Sequence, residues 1–421
     1  MKVLSRRHDR GTERGQIAPL LAVSLVVIML CVGLAVDVGF AYVTKARLTK
    51  AVDAATLTAM KNLSSQGQAE ATTLGTNAFN ANYTTSPLDF APPSVAITYS
   101  TDASGNTIVS ANGTAYIKPI FMKVLPSASR VTVTDSAQAT RNKLVMTIVL
   151  DRSGSMSSNG GSSALPPAVI QFINYFDNTN DQVGMTSFAS NATLDYSIAT
   201  GFKTPITNAV NAMQFTGGTF GLGGLVIAKA QNESVMTSSN QVKVVVYFTD
   251  GLVNTIQDTF HCTSSWGNTL YNYGGYDTGN SVDFFKPTDG TDWGGVDNNG
   301  YPPHSPTPDC TGVTKFTSQI DGTQKSFTRT NVTADAQYRS LSIANAMRAE
   351  GMYVYSIGLG TDPSQTFLQE IANDPNSPTY SSSQPQGLAV FATSCPSSSC
   401  NAQLQQVFQT IAARILLRLT Q

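Results

Sequence analysis

Hydrophobic and polar positions follow three different patterns along the chain. From Ile17 to Val36, IAPLLAVSLVVIMLCVGLAV runs twenty residues without a charge, long enough to cross a bilayer as one helix. Beyond it, DVGFAYVTKARLTKAVDAATLTAMKNL has no proline and sets Val43, Leu48, Val52, Leu57 and Met60 at rough helical spacing. One helix from about Ile17 to Leu63 is therefore expected, half in lipid and half emergent. Residues 64–90 are polar, with a helical hint in AEATTLGTNAFNANY before the break at Pro87. From Ser94 to Thr140 the pattern changes to alternation, in Val95-Ala96-Ile97-Thr98-Tyr99 and Val131-Thr132-Val133-Thr134, which suits an antiparallel sheet with one wet face. A small α+β module over residues 37–141 is the expectation, with the emergent helix packed on this sheet.

From Lys143 the third pattern begins, an alternation of strands and helices. Expected strands are 144–150, 182–189, 193–197, 242–249 and 352–358, with a short one near Tyr380. Expected helices are 164–177, 204–213, 222–235, 334–350, 364–373 and 401–417. The continuous run of six apolar or β-branched residues Val145–Leu150 is that of a strand buried on both faces. The whole implies a doubly wound, mostly parallel α/β sheet over residues 142–421. In the last helix Leu404, Val407, Phe408, Ile411 and Ile415 share one face, the mark of a closing helix on the sheet.

The candidate chemistry lies at strand ends. Val145–Leu150 is followed by Asp151, Ser153 and Ser155, a carboxylate and two hydroxyls in a turn. Hard divalent cations prefer such oxygen ligands. Further oxygen ligands are then expected at the ends of later elements. Thr219 stands in the glycine-rich turn TGGTFGLGGL, and the strand VKVVVYFTDG ends in Asp250. Ligands of open α/β sheets bind beyond the carboxyl ends of the strands, where these residues would converge.

Asp151-x-Ser153-x-Ser155, then Thr219, then Thr249-Asp250-Gly251 resembles the metal-ion-dependent adhesion site (MIDAS) of the von Willebrand factor A (VWA) family, whose fold is Rossmann-like. The resemblance implies direct ligation by the Ser153, Ser155 and Thr219 hydroxyls, with Asp151 and Asp250 acting largely through water. A Glu or Asp of a protein partner would complete the coordination. Mg²⁺ suits the octahedral demand best, with Mn²⁺ or Ca²⁺ as substitutes. Hydrolysis would need a base as well, and His8, His261 and His304 lie outside the expected elements, so binding rather than catalysis is expected.

A second resemblance lies at the N-terminus. Arg14-Gly15-Gln16, then Gly33-Leu34-Ala35-Val36-Asp37-Val38-Gly39, then the Ala-rich run Ala51–Ala59 resemble the start of TadG-like proteins of tight-adherence (Flp) pilus assembly. A prepilin would carry Glu five residues after its cleavage glycine. Here Leu20 stands at that distance from Gly15, so an uncleaved assembly protein is implied rather than a pilin subunit.

Lys2, Arg6, Arg7, Arg10 and Arg14 precede the apolar run, against Lys45, Arg47 and Lys50 after it. The positive-inside rule places residues 1–16 in the cytoplasm and residues 37–421 outside it, anchored in the inner membrane of a bacterium by residues 17–36. A cleaved signal peptide is the alternative, with Gly39-Phe40-Ala41 as a small-x-small site, although twenty residues is long for its apolar part. Formal charge is -1 and only 13% of residues are charged, which leaves no basic field for nucleic acid.

Cys31 sits in the apolar run; Cys262, Cys310, Cys395 and Cys400 all lie in the C-terminal half. That even number suggests two disulfides and an oxidising compartment. Proximity favours Cys262–Cys310 and Cys395–Cys400 among the three possible pairings. The stretch 254–333 interrupts the α/β pattern. It is dense in Gly, Asn, Asp, Tyr and Trp and, following Gly251, should emerge on the metal face as a long irregular loop. Its acids Asp289, Asp292 and Asp297 lack calcium-loop spacing. Tyr271, Tyr273, Tyr276, Trp266 and Trp293 either form a recognition surface or pack a disulfide-tied cap.

The functional expectation is a membrane-anchored protein of Flp pilus assembly or surface adhesion that binds protein partners through a cation. An assembly scaffold unrelated to pili and a metal-dependent hydrolase are the alternatives.

Overall fold

The computed structural model describes residues 17–102, 106–124, 129–236, 241–263, 269–278, 282–285, 315–360, 363–395 and 399–419. The chain divides into two compact units, residues 1–100 with 108–140, and residues 101–107 with 141–421.

In the first unit α1 runs Ile17–Asn82 and is broken at Gly67, whose φ of 80° only glycine adopts readily. The first helical part thus ends close to the expected Leu63, and the hinted helix after Gly67 folds back along it. A Cβ on Gly75 would lie 3.1 Å from the Ala59 Cβ and 3.0 Å from the Ala55 carbonyl oxygen. Three strands follow, β1 (Asp89–Thr101), β2 (Thr107–Ile117) and β3 (Val131–Arg141), in the order β1-β2-β3. β1 begins earlier than its alternation suggests and includes Pro92 and Pro93. As an edge strand it can do without their missing N–H groups. Leu48, Ala51, Val52, Ala55 and Phe79 of α1 bury themselves with Ala111 and Ala115 of β2 and Val133 of β3. Each fully buried Leu, Val or Phe there contributes about 1.5–3 kcal/mol. Small residues let the layers approach: a Cβ on Gly113 would lie 2.4 Å from Val52 Cγ2.

The second unit is built on a six-stranded sheet. β4 (Lys143–Asp151), β5 (Gln182–Phe188), β6 (Ala192–Ala199), β7 (Gln241–Thr249), β13 (Tyr353–Leu359) and β14 (Ala389–Ala392) stand in the order β14-β13-β7-β4-β5-β6. β6 alone in this sheet runs antiparallel, on β5 at one edge. The strand expected near Tyr380 is found instead at Ala389–Ala392. Asn373 and Asp374 hold the intervening residues in turns, with Asn373 Nδ2 donating to the Ser381 carbonyl and Asp374 Oδ2 accepting from Ala389 N–H.

Side chains alternate across β4. Leu144, Met146, Ile148 and Leu150 pack under α3 (Gly161–Asn174), α4 (Lys203–Asn211) and α8 (Cys400–Leu419). Val149 joins the opposite core, with α5 (Gly221–Ser234), α6 (Arg329–Ala349) and α7 (Gln365–Ala372). Both faces are dry, so the strand reads as an unbroken apolar run rather than an alternating one. All five residues expected on the inner face of α8 are buried. The entry to β4 is fixed by a buried ion pair: Arg141 donates bidentately to Asp181 at 2.8 and 2.7 Å, and Asp181 also accepts from Leu144 and Asp177 N–H groups.

The expected irregular loop after Gly251 is in part a sheet. β8 (Thr255–Thr263), β9 (Thr269–Thr278) and β10 (Val282–Phe285) pair antiparallel in the order β10-β9-β8. A small hairpin, β11 (Lys315–Thr317) with β12 (Gln324–Ser326), precedes α6. Its glycine and asparagine content masked strands whose Thr, Tyr, Phe and Val residues favour pairing. Arg339 on α6 ties its base down, bonding Asp258 at 2.9 Å, the Gln257 carbonyl and Asp335. Cys395 and Cys400 form a disulfide with Cα atoms 4.6 Å apart. Cys310, Trp266, Trp293, His8, His304, Asp289, Asp292 and Asp297 lie outside the described residues, and so does the pairing expected for Cys262.

Candidate metal centre

Three loops meet at the carboxyl edge of the central strands. β4 ends in Asp151, and the chain turns at once into α2 (Ser155–Ser158), so Ser153 and Ser155 lie in one tight turn. β7, paired to β4 through Leu150 and Phe248, ends beside it and delivers Thr249 and Asp250 to the same level. The third loop precedes α5. It passes close because Gly217 adopts a φ of 83° and accepts from Gly154 N–H at 3.0 Å, while Thr216 N–H bonds the Arg152 carbonyl.

Four of the five expected residues form one hydrogen-bonded cluster. Ser153 N–H donates to Asp151 Oδ1 at 2.8 Å, and the Ser153 and Ser155 hydroxyl oxygens are 3.0 Å apart. The Ser155 hydroxyl donates to Asp250 Oδ1 at 2.7 Å. Thr219, the fifth, is held outside that network by the segment after Gly251: its N–H donates to Asn254 Oδ1 at 2.8 Å and its carbonyl accepts from Asn254 N–H. Asp151 and Asp250 are fully buried, Ser153 and Thr219 nearly so. Burial first, and then the charge of Asp250, push the Asp151 carboxyl up to about 7, against hydrogen bonds from Ser153 and Thr249 that favour its ionised form. Two buried carboxylates that destabilise each other's charge are what a bound cation relieves.

Two further residues belong to the arrangement. The Thr249 hydroxyl donates to Asp151 Oδ2 at 2.6 Å, and Asn159 Nδ2 donates to Asp250 Oδ2 at 3.0 Å. Thr249 stands in the Thr249-Asp250-Gly251 motif of the sequence, which assigned it no role. Asn159 could have been read only by placing Ser155 at the start of a helical turn, which sets residue 159 on the same side. Arg152, adjacent to Asp151 in sequence, turns its guanidinium to Ser187 and Asn191 on the β5 side.

The donor set fits a small hard cation. A metal at 2.0–2.1 Å from its ligands holds neighbouring oxygens about 3 Å apart, the separation of the two serine hydroxyls. Among the described residues no group of three or more His, Cys, Asp and Glu has metal-binding geometry. Any ion here would therefore rest on hydroxyls and carboxylates together.

Two parts of the chain match known families. Residues 15–62 match the family of TadE/G-like Flp pilus-assembly proteins, and residues 146–276 match the von Willebrand factor type A domain. The chain thus joins a TadE/G-like segment to a VWA domain. No curated protein sequence matches it. Among solved structures it is similar to the pilus adhesin SpaC from Lactobacillus rhamnosus GG, at 16% identity and a TM-score of 0.41, over 78% of this chain and 34% of that one. It is also similar to the vWF domain of the type V pili tip protein Mfa5 from Porphyromonas gingivalis, at 14% and 0.40, over 67% and 98%. Proximal thread matrix protein 1 from the mussel byssus, with a zinc-occupied MIDAS motif, aligns at 14% and 0.36, over 66% of this chain and 46% of that one. The chain therefore spans less than half the length of SpaC and of the byssus protein.

Proposed function

We propose that this protein is a membrane-anchored, extracytoplasmic component of Flp/Tad pilus assembly or adhesion whose VWA domain binds protein partners through a divalent cation. The observation that carries the reading is the Asp151–Ser153–Ser155–Asp250 cluster at the carboxyl edge of a VWA sheet, in a chain that begins with a TadE/G-like segment. The anchor is α1, whose Pro19–Leu63 stretch holds an apolar window of mean hydropathy 2.8 with its side chains turned outward.

In this reading the Ser153, Ser155 and Thr219 hydroxyls hold the ion, and Asp151 and Asp250 act through water. When bound, the cation supplies an electrophilic position for an Asp or Glu carboxylate of the partner. Thr249 and Asn159 fix the two carboxylates so that their inward oxygens stay turned to the ion. Mg²⁺ is the expected occupant.

The test is pull-down of pilus and envelope components from the producing cell by the purified full-length chain, with Mg²⁺, with chelator, and with Asp250→Ala. Capture that needs Mg²⁺ and Asp250 supports the proposal; capture indifferent to both makes the cluster structural.

A further inference from the structure

The motif Gly33-Leu34-Ala35-Val36-Asp37-Val38-Gly39 lies where the apolar run ends, and the partner site does not use it. Gly33 and Asp37 are one helical turn apart on one face of α1, and both meet the loop between β2 and β3. Asp37 is 3% exposed, and its carboxylate accepts three backbone N–H groups, from Ile120 at 2.8 Å, Phe121 at 3.0 Å and Met122 at 2.7 Å. Above it on the same face, a Cβ on Gly33 would lie 2.7 Å from Phe121 Cβ and Cγ. The glycine leaves the space that the phenylalanine occupies.

This clamp holds apolar side chains in an unusual place. Ile120 and Phe121 are 48% and 47% exposed, and the helix around them presents Leu34, Val36 and Val38 outward as well. Gly33 is three residues inside the charge-free run, so at 1.5 Å per residue Phe121 lies about 4.5 Å within the apolar segment. Lys118 and Lys123 flank the pair and are exposed, placed to meet anionic headgroups while the apolar tip faces acyl chains. A soluble surface gains nothing from two adjacent bare apolar residues beside a membrane helix; an interfacial one does.

We propose that the 118–123 loop is a second membrane contact, with Ile120 and Phe121 inserted among the lipids of the extracytoplasmic leaflet. Gly33 and Asp37 are the positioning residues that dock it on the anchor. The loop and helix together grip the bilayer at two points, which restricts how the first unit swings about its anchor. The inference rests on the reading of α1 as a membrane anchor, and the experiment separates the two.

The full-length chain is reconstituted into phosphatidylethanolamine–phosphatidylglycerol vesicles containing lipid brominated near the headgroup end of its chains. Single variants Phe121→Trp, Ile28→Trp and Tyr99→Trp are compared with the unsubstituted protein, whose two native tryptophans set the background. Ile28 reports on the span. Tyr99 bonds Thr72 and Gln68, in the part of α1 after its break at Gly67. Added fluorescence at 121 should be quenched several-fold more than that at 99, and should resist aqueous iodide. Adding Asp37→Ala to Phe121→Trp should remove that quenching while the far-ultraviolet spectrum stays unchanged. Quenching at 28 but not at 121 overturns the loop proposal and leaves the anchor intact. Absence of quenching at both overturns the two together. Shielding of 121 from iodide without lipid quenching marks a protein contact there, and also overturns the proposal.

Discussion

The Ser155 hydroxyl donates to Asp250 Oδ1 at 2.7 Å across 95 residues of sequence. It joins the loop after β4 to the loop after β7, neighbouring parallel strands whose register brings Leu150 opposite Phe248. A hydroxyl already facing a buried carboxylate needs little reorganisation to share a cation with it. Mg²⁺ at 100 times its dissociation constant should therefore stabilise the chain by about 2.7 kcal/mol, the mass-action value for one site. Thermal melts with and without Mg²⁺ check this. The shift should vanish with chelator and in Asp250→Ala and Ser153→Ala.

The buried pair Arg141–Asp181 stands apart from that cluster, at the opposite end of β4. Removing one partner strands the other charge in the core, a loss of about 3–5 kcal/mol. Arg141→Leu should lower the melting temperature strongly yet keep its Mg²⁺-dependent increment. Loss of that increment would show the two ends of the strand to be coupled.

In the first unit the close approach of helix and sheet depends on Gly113. Gly113→Val puts a branched side chain where Val52 Cγ2 already lies within 2.4 Å of the new Cβ, and overpacking of this kind costs about 1–3 kcal/mol. Urea unfolding should show a lower midpoint for the first unit only. The transition of the VWA unit should not move.

The sheet and its partners were legible in the sequence because β4 and β7 are buried on both faces and so read as nearly unbroken apolar or β-branched runs, while β13 carries Tyr, Val and Ile at strand spacing. Asp151, Ser153, Ser155 and Asp250 were legible because each stands just beyond such a run. Other features depend on contacts that sequence spacing does not carry. β14 is only four residues long and is set by Asn373 and Asp374, so Tyr380 with its β propensity attracted the assignment instead. β1 was shortened because Pro92 and Pro93 are tolerated only at a sheet edge, and nothing local says which strand is the edge. The strands after Gly251 were hidden by Gly and Asn. Asn159 carried no signal of its own, since an asparagine at the end of a helical turn serves equally well as a cap.

Cys395 and Cys400 enclose a short loop between β14 and α8, and both side chains are buried in the core under α3. Chain-entropy arithmetic for a loop of this length gives about 2 kcal/mol. Reduction, or Cys395→Ala with Cys400→Ala, should lower stability by about that amount and leave cation binding unchanged. Melts under reducing and non-reducing conditions, each with and without Mg²⁺, measure both effects at once.

Thr249 and Asn159 touch the carboxylates from outside the proposed coordination, at 2.6 Å on Asp151 Oδ2 and 3.0 Å on Asp250 Oδ2. Partners in that position orient ligands, and their removal lowers metal affinity about 10–100-fold. Thr249→Val keeps the shape and deletes the donor; Asn159→Ala deletes the amide. Calorimetric titration with Mn²⁺ should show each variant weakened within that range, with stoichiometry preserved, whereas Asp250→Ala should show no binding. The double variant should lose more than either single one, because the two donors hold different carboxylates. Wild-type affinity in both single variants would mean that the carboxylates are held by the metal itself rather than set beforehand by the fold.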